Sequence, residues 1–284
     1  MKKFYIISNS QKDKNFAVTN QVISAIEKYG MSYQMQENCK ITNSDYKYTD
    51  ASKVESDIDC IIVVGGDGTL IQAARDLASL DIPMLGVNLG TLGYLAEVEL
   101  EHIDDMISMI ADENYKIESR IMISGDVYRD GECIYRDIAL NDIVFTRSSM
   151  LKVIDFKVFV NDEFLNLYSA DGIIISTPTG STAYNLSAGG PIVEPGANIM
   201  VITPICCHTL GSRSIVLSAD SNITIEICPD RHRNECSNAV YFDGDVSFEL
   251  REGDLIKIKK SDLSTKIMKL NRMSFVEILH SKMN

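Results

Sequence analysis

No apolar run in this 284-residue sequence approaches the roughly 20 residues needed to cross a bilayer, so no membrane-spanning helix is expected. The N-terminus opens with a pair of lysines, as a secretion signal does, but its apolar stretch ends at Ile7 and reads as a first strand. Positive charge is scarce. Lys and Arg total 27 against 40 Asp and Glu, a formal net charge of −13. Such a surface repels phosphate backbones and anionic lipid, so neither nucleic acid nor membrane is expected as a partner. Lys257, Lys259 and Lys260 form a local cluster whose spacing suits the wet face of a strand. The cysteines lack a framework: the seven, at Cys39, Cys60, Cys133, Cys206, Cys207, Cys228 and Cys236, are an odd number without regular spacing. That usage fits a reducing cytoplasm. Cys206-Cys207-His208 hints at a metal, but no second ligand cluster accompanies it, and structural packing is the reading adopted. Internal repeats and low-complexity tracts are also missing.

With 45% apolar and 24% charged residues the composition is that of a globular protein, and the length favours two domains over one. Residues 4–8 read as a strand, and Phe16 to Tyr29 as a helix with Val18, Val22 and Ile26 on one face and Gly30 as its C-terminal cap. The polar stretch 38–57 reads as a mobile surface loop or crossover. Ile61 to Val64 form a buried strand, a helix carrying Ile71, Ala74, Leu77 and Ala78 runs to about Leu80, and Ile82 to Asn88 form another buried strand. This β-α-β-α-β order predicts a parallel sheet with helices on its faces, and ligands outside its C-terminal strand ends.

After a further helix with Ile103, Met106, Ile107 and Ile110 along a stripe, strands take over. Arg129-Asp130-Gly131 and Asn161-Asp162 mark hairpins, and alternating runs at 214–217, 223–228, 239–242, 247–250 and 255–258 continue the pattern, which predicts a sandwich of sheets. The expected division is an α/β domain over 1–100, a β domain over 101–262, and a helical tail over 263–284 that returns to the first domain.

The most informative stretch is Cys60 to Leu70, where a buried strand stops in Gly65, Gly66 and Gly68 wrapped around one carboxylate, Asp67, before a helix begins. Glycines let backbone N–H groups approach an anion, and the first turn of a helix adds unpaired donors. Asp67 is the oddity, because a carboxylate repels phosphate. It faces either a hydroxyl that must lose a proton or a metal ion that bridges to phosphate, and both readings suggest phosphoryl transfer. The plainer alternative is a tight turn with Asp67 capping the helix. The spacing matches neither a Walker A loop nor Gly-x-Gly-x-x-Gly.

A second constellation interrupts the β region. From Ser176 to Ser187, six of twelve residues are Ser or Thr, broken by Pro178 and Gly180, and the surrounding stretch 171–190 does not read as an ordinary strand. Short hydroxyls and free N–H groups suit riboses, amides and phosphates, although each position by itself suits a turn or ordinary packing. Asn141-Asp142, between apolar runs, either ends a strand or offers an amide and a carboxylate to a ligand.

Together, Gly65-Gly66-Asp67-Gly68-Thr69, Asn141-Asp142 and the run from Ser176 to Tyr184 resemble the NAD kinase family, over nearly the whole chain. The first motif is shared with diacylglycerol and sphingosine kinases and the third is far more specific. The resemblance implies a Rossmann-like α/β N-terminal domain, a β-sandwich C-terminal domain, and ATP-dependent phosphorylation of the 2′-hydroxyl of NAD's adenosine ribose. It implies Asp67 as proton acceptor, with Gly65, Gly66, Gly68 and Thr69 serving the donor triphosphate. Asn141 and Asp142 would hold the dinucleotide, and Lys152, Ser169, Asp171 and Ser176 would contact ligand. Thr182, Ala183, Tyr184, Asn185, Leu186 and Ser187 would line the adenosine pocket, with Tyr184 against the base. Ser169 and Asp245 stand where relatives often carry arginine and glutamine or histidine, and Cys207 where they often carry proline. A divalent ion, Mg²⁺ or Mn²⁺, is implied with ATP, no protein ligand to a metal is assigned, and a homodimer or homotetramer is expected. The competing readings are a lipid kinase of the same superfamily, disfavoured by the hydroxyl-rich segment and acidic charge, and a non-catalytic NAD(P) sensor, disfavoured by Asp67.

Overall fold

A computed structural model of the chain describes residues 1–36, 49–90, 93–96, 98–147, 153–208, 212–229, 238–270 and 273–283. Most of the loop expected at 38–57, and also Cys39, Lys152 and Cys236, lie outside the described residues. The chain divides into two compact units, Met1–Arg120 with Leu263–Asn284, and Ile121–Asp262.

In the first unit, strands β1 (Lys3–Ser8), β2 (Ser32–Met35), β3 (Cys60–Gly65) and β4 (Met84–Asn88) pair in parallel in the order β2-β1-β3-β4. Helices α1 (Ala17–Lys28), α2 (Asp67–Asp76) and α3 (Ile103–Ala111) connect or flank them. The alternation of the strands decides which helix covers which side. Phe4, Ile6, Cys60, Ile62, Val64, Leu85 and Val87 share one core with Val22 and Ile26 of α1 and with Ile103, Met106, Ile107 and Ile110 of α3. Ile61 and Val63 alternate with that set, so they point to the other side, and α2, with Leu70, Ala73 and Ala74 buried, packs against β3 and β4. Because α3 shares the α1 core, this unit runs to Arg120, and the change from helices to strands follows α3. Strand β2 was not expected; its Ser32-Tyr33-Gln34-Met35 is polar and half-exposed, as an edge strand tolerates.

The second unit is built of strands β5 (Lys116–Arg129, entering from the first unit), β6 (Glu132–Ala139), β7 (Asp142–Arg147), β8 (Ile154–Val160), β9 (Glu163–Ala170) and β10 (Gly172–Ser176). A single helical turn, α4 (Tyr184–Ser187), separates these from β11 (Ile199–Ile205), β12 (Ile215–Ser218), β13 (Ile223–Ile227), β14 (Asn238–Phe242), β15 (Val246–Leu250) and β16 (Leu255–Lys269). One antiparallel sheet runs β12-β11-β10-β7-β14-β15. The other pairs β9 with β8, β8 with β13, β13 with the first half of β16, and β16 with the β5-β6 hairpin. Their inner faces enclose one core of Phe145, Phe156, Ile173, Ile175, Ile202, Ile225, Phe242 and Ile256, with Phe145 and Phe156 edge to face at 5.2 Å between ring centroids. This is the sandwich that the alternating runs imply.

Strands β10 and β11 were missed. β10 is apolar throughout because it is the central strand of its sheet, and it shows that the stretch 171–190 does begin with a regular strand. β11 hides behind Pro204, which pairs with Ile173 inside the ladder. β16 runs on to Lys269, beyond the 255–258 run; its end belongs to the first unit, where Ile267 pairs with Met84, and helix α5 (Phe275–Met283) follows there. No helix among the described residues is long and apolar enough to cross a membrane.

Candidate active site

In the first unit, the turn after β3 feeds straight into α2. Gly66 is the N-cap of α2, at φ −112° and ψ −175°, and Asp67 is the first helical residue. The carboxylate of Asp67 does not cap that helix. It turns to the segment after β4, where Oδ2 accepts the N–H of Tyr94 at 2.8 Å and Oδ1 accepts those of Leu95 at 3.2 Å and Ala96 at 3.0 Å. Three backbone donors thus fix both oxygens while one lone pair of Oδ2 stays available. Gly93 permits this approach, since a Cβ there would lie 2.0 Å from Asp67 Oδ1. Thr69 supports the turn from below: its hydroxyl accepts the amide of Asn9 at 3.0 Å.

A cavity of about 420 Å³ opens over the turn, lined by Lys12, Gly66, Asp67, Asn88, Gly90 and Lys282 among others. Lys12 follows β1, and Lys282 comes from α5, with its ammonium 5.0 Å from the centroid of the Tyr94 ring. Neither lysine stands out in the sequence, because a cation in a short loop or a terminal helix usually marks only a solvated surface.

In the second unit, β7, β10 and β14 bring the other residues together. Ser176 at the end of β10 pairs with Asp142 at the start of β7, and a Cβ on Gly180 would lie 2.1 Å from the carbonyl oxygen of Asn141, so the 176–187 segment lies directly on Asn141-Asp142. Among the described residues the side-chain amide of Asn141 has no hydrogen-bond partner, and neither has the carboxylate of Asp142, which is only 5% exposed. Burial, and then the nearby charge of Asp243, push the Asp142 carboxyl up to about 7. The phenol of Tyr184 is likewise raised, first by burial and then by Cys206, Asp171 and Asp142, which places each of those groups within electrostatic reach of Tyr184. Tyr184 is nonetheless 45% exposed, an aromatic face open to solvent.

Other expected site residues have different surroundings. Ser176 is buried and its hydroxyl donates to the carbonyl of Thr177 at 2.9 Å. Asn185 is fully buried; its amide donates to the carbonyls of Ser181 and Pro191, both at 3.0 Å, and accepts the Thr203 hydroxyl at 2.7 Å. The structure spends both groups internally, so these two residues shape the segment instead of offering it free polar atoms. Thr182, Ala183, Leu186 and Ser187 are partly or largely exposed around Tyr184. Asp171 accepts from Arg147 Nε at 3.0 Å through Oδ1, and Ser169 donates to Asp155. Asp245 is exposed on the turn between β14 and β15. Cys207 packs against the sandwich core, and among the described residues no three His, Cys, Asp or Glu side chains converge as a metal site. Arg147 and Thr179 escaped sequence reasoning; the Thr179 hydroxyl is buried among these residues without a partner.

A glycine turn opening into a helix beside a fixed carboxylate, in a chain that also carries a hydroxyl-rich sandwich segment, defines a nucleotide-handling phosphotransferase. Residues 5–115 match the ATP-NAD kinase N-terminal domain and residues 140–270 the ATP-NAD kinase C-terminal domain. An NAD kinase of Lachnospira eligens is 42% identical over 293 residues covering 100% of both chains, and one of Agathobacter rectalis is 46% identical over 285 residues, 100% of this chain and 99% of that one. The fold is similar to that of yeast NADH kinase complexed with NADH, at TM-score 0.84 and 22% identity over 99% of this chain and 86% of that one. It is also similar to an NAD kinase from Archaeoglobus fulgidus in complex with ATP, at TM-score 0.77 and 22% identity over 99% and 98%. The chain belongs to the NAD kinase family.

Proposed function

We propose that this chain transfers the γ-phosphate of ATP to the 2′-hydroxyl of the adenosine ribose of NAD, making NADP. The observation that carries this reading is a turn with more glycine than the fold requires. A Cβ on Gly68 would meet nothing within 4 Å, one on Gly66 would meet only the Lys12 ammonium at 3.5 Å, and Gly66 has a backbone conformation open to any residue. What a side chain at either position would obstruct is a ligand. The N–H groups of the turn and the start of α2 suit a phosphate chain, with Lys12 and Lys282 on the same cavity. Gly66→Ala should therefore leave the melting temperature within a degree or two while raising the KM for ATP; a change in stability with an unchanged KM would refute this.

Asp67 Oδ2 takes the proton of the ribose hydroxyl late in the transfer, a contribution of about 10²–10⁴-fold. The other oxygen, Oδ1, accepts the N–H groups of Leu95 and Ala96, which keeps the carboxylate from swinging away. A divalent ion, Mg²⁺ or Mn²⁺, would enter with the nucleotide and would supply neutralisation of the triphosphate charge. NAD and ATP are the partners in this reading, with a cytoplasmic location and a homodimeric or homotetrameric assembly, which light scattering tests.

On the dinucleotide side, Asn141 and Asp142 offer unsatisfied polar groups to the ribose and Tyr184 offers a ring to the base. Stacking on an aromatic face is worth about 1–3 kcal/mol, so Tyr184→Ala should weaken NAD binding roughly tenfold or more and affect saturated turnover less. Unchanged affinity would remove Tyr184 from the base contact.

The raised carboxyl of Asp142 sets a pH dependence. Its folded value of about 7 lies above the ordinary aspartate range, so below that pH the free protein favours the neutral form, and stability falls as pH rises from the ordinary aspartate range toward 7. A ribose hydroxyl that donates to the ionised form makes NAD affinity rise through about pH 7. Asp142→Asn should flatten that rise, which calorimetric titration between pH 5.5 and 8.5 measures. Incubation with NAD, ATP and Mg²⁺ and detection of NADP tests the whole reading, and phosphorylation of a lipid alcohol in place of NAD would overturn it.

A further inference from the structure

The backbone that presents Asn141 and Asp142 is gripped from both sides. On its carbonyl side, the Thr177 N–H donates to Asn141 O at 2.8 Å, and the Thr177 hydroxyl donates to Leu140 O at 2.5 Å. On its N–H side, one carboxylate takes every donor. Asp243 Oδ2 accepts the N–H of Leu140 at 2.8 Å, and Oδ1 accepts those of Asn141 at 2.7 Å and Asp142 at 3.1 Å. The N–H of Asp243 in turn donates to Asp142 O at 3.0 Å.

The hairpin between β14 and β15 aims this carboxylate. Asp243 and Gly244 hold φ of +52° and +78°, the left-handed pair that an Asp-Gly turn supplies. Tyr241 pairs with Val144 and Phe242 with Ile143, so the turn falls beside the start of β7, and the buried Phe242 ring fixes its depth in the sandwich.

We propose that Asp243 is a positioning residue for the acceptor nucleotide: it fixes the Leu140–Asp142 backbone so that the Asn141 amide and the Asp142 carboxylate meet the ribose, without touching substrate itself. The inference rests on the reading of this site as the NAD site. A carboxylate is required, because three N–H donors converge and an amide presents one acceptor oxygen with an NH₂ opposing the remaining donor. The charge has a second effect. Among the described residues, Asp243 and Tyr184 are the titratable groups that interact with Asp142, and the negative charge of Asp243 helps hold Asp142 neutral.

Asp243→Asn tests this in the full chain, with NADP formation and NAD calorimetry as readouts. The expected result is a KM for NAD raised roughly tenfold or more, a KM for ATP within twofold of wild type, and a lower pH midpoint for NAD affinity, because Asp142 ionises more readily once its neighbour is neutral. A general loss of packing would not spare the KM for ATP. An unchanged KM for NAD, or equal changes for both substrates, overturns the proposal. Should Asp243→Asn not fold, Gly244→Ala takes its place, since it strains the turn at φ +78° with nothing within 4 Å for its Cβ to strike. A selective rise in the KM for NAD then supports the proposal and equal changes overturn it. Wild-type protein that makes no NADP would instead defeat the functional reading, so the two failures are distinct.

Discussion

Replacing Asp67 by asparagine should lower kcat by about 10²–10⁴-fold while leaving NAD affinity largely intact. The substitution keeps shape and removes basicity. Asparagine retains one oxygen for the N–H groups of Leu95 and Ala96, but its NH₂ replaces the Oδ2 that now accepts from Tyr94 at 2.8 Å. Two donors then face each other, and the cost is local because Asp67 is half-buried at the edge of a cavity. Single-turnover NADP formation together with NAD calorimetry separates chemistry from binding. Turnover close to wild type would sink the assignment of Asp67 as proton acceptor, and a parallel loss of affinity would recast it as a binding group.

Gly93→Ala should reach nearly the same result without touching the carboxylate. The new Cβ would lie 2.0 Å from Asp67 Oδ1, 2.5 Å from Cγ and 2.7 Å from Oδ2, far inside van der Waals contact. Asp67 must turn aside, and a displacement of about 1 Å at a reacting group costs on the order of 10²-fold in rate. Stability should fall only modestly, because what yields is the end of a side chain beside a cavity. Gly180→Ala makes the contrast: there the obstacle is the backbone carbonyl of Asn141 at 2.1 Å, and unfolding should come before any selective kinetic effect. Wild-type kcat in Gly93→Ala would show that the carboxylate position seen here is not the working one.

The elements legible in the sequence were those whose period survives packing. β3 and β4 read as buried runs, α3 as a stripe and the two hairpins as turn dipeptides, because each pattern follows from one face meeting one core. Strand β2 has no such face, β11 is disguised by Pro204, and β10 is apolar on both sides. Within the site, the glycine turn was legible as composition. Its partners were not, since the amides of Tyr94, Leu95 and Ala96 carry no residue signature and act on Asp67 from across a strand and a loop. The same holds for Arg147 on Asp171 and for Lys282, which is drawn to the glycine turn only by the return of α5 to the first unit. The hydroxyl cluster promised open donors throughout; burial of Ser176 and Asn185 shows that part of such a cluster is needed to hold the rest in place.

The first unit is discontinuous, made of Met1–Arg120 and Leu263–Asn284 with the sandwich sequence between them. During synthesis the ribosome therefore delivers β1 to β4 long before the strand that pairs with Met84 and the helix that brings Lys282. The intervening unit has all its residues first, and its folding draws the two ends of the broken unit together, lowering the loop-closure entropy of the last step. A nascent chain halted before Leu263 would expose the Leu85 and Val87 side chains that Met268 and Leu270 cover in the finished molecule, and would meet chaperones as an unfinished sheet edge. The cavity over the glycine turn thus gains Lys282 only after the whole sandwich has been synthesised.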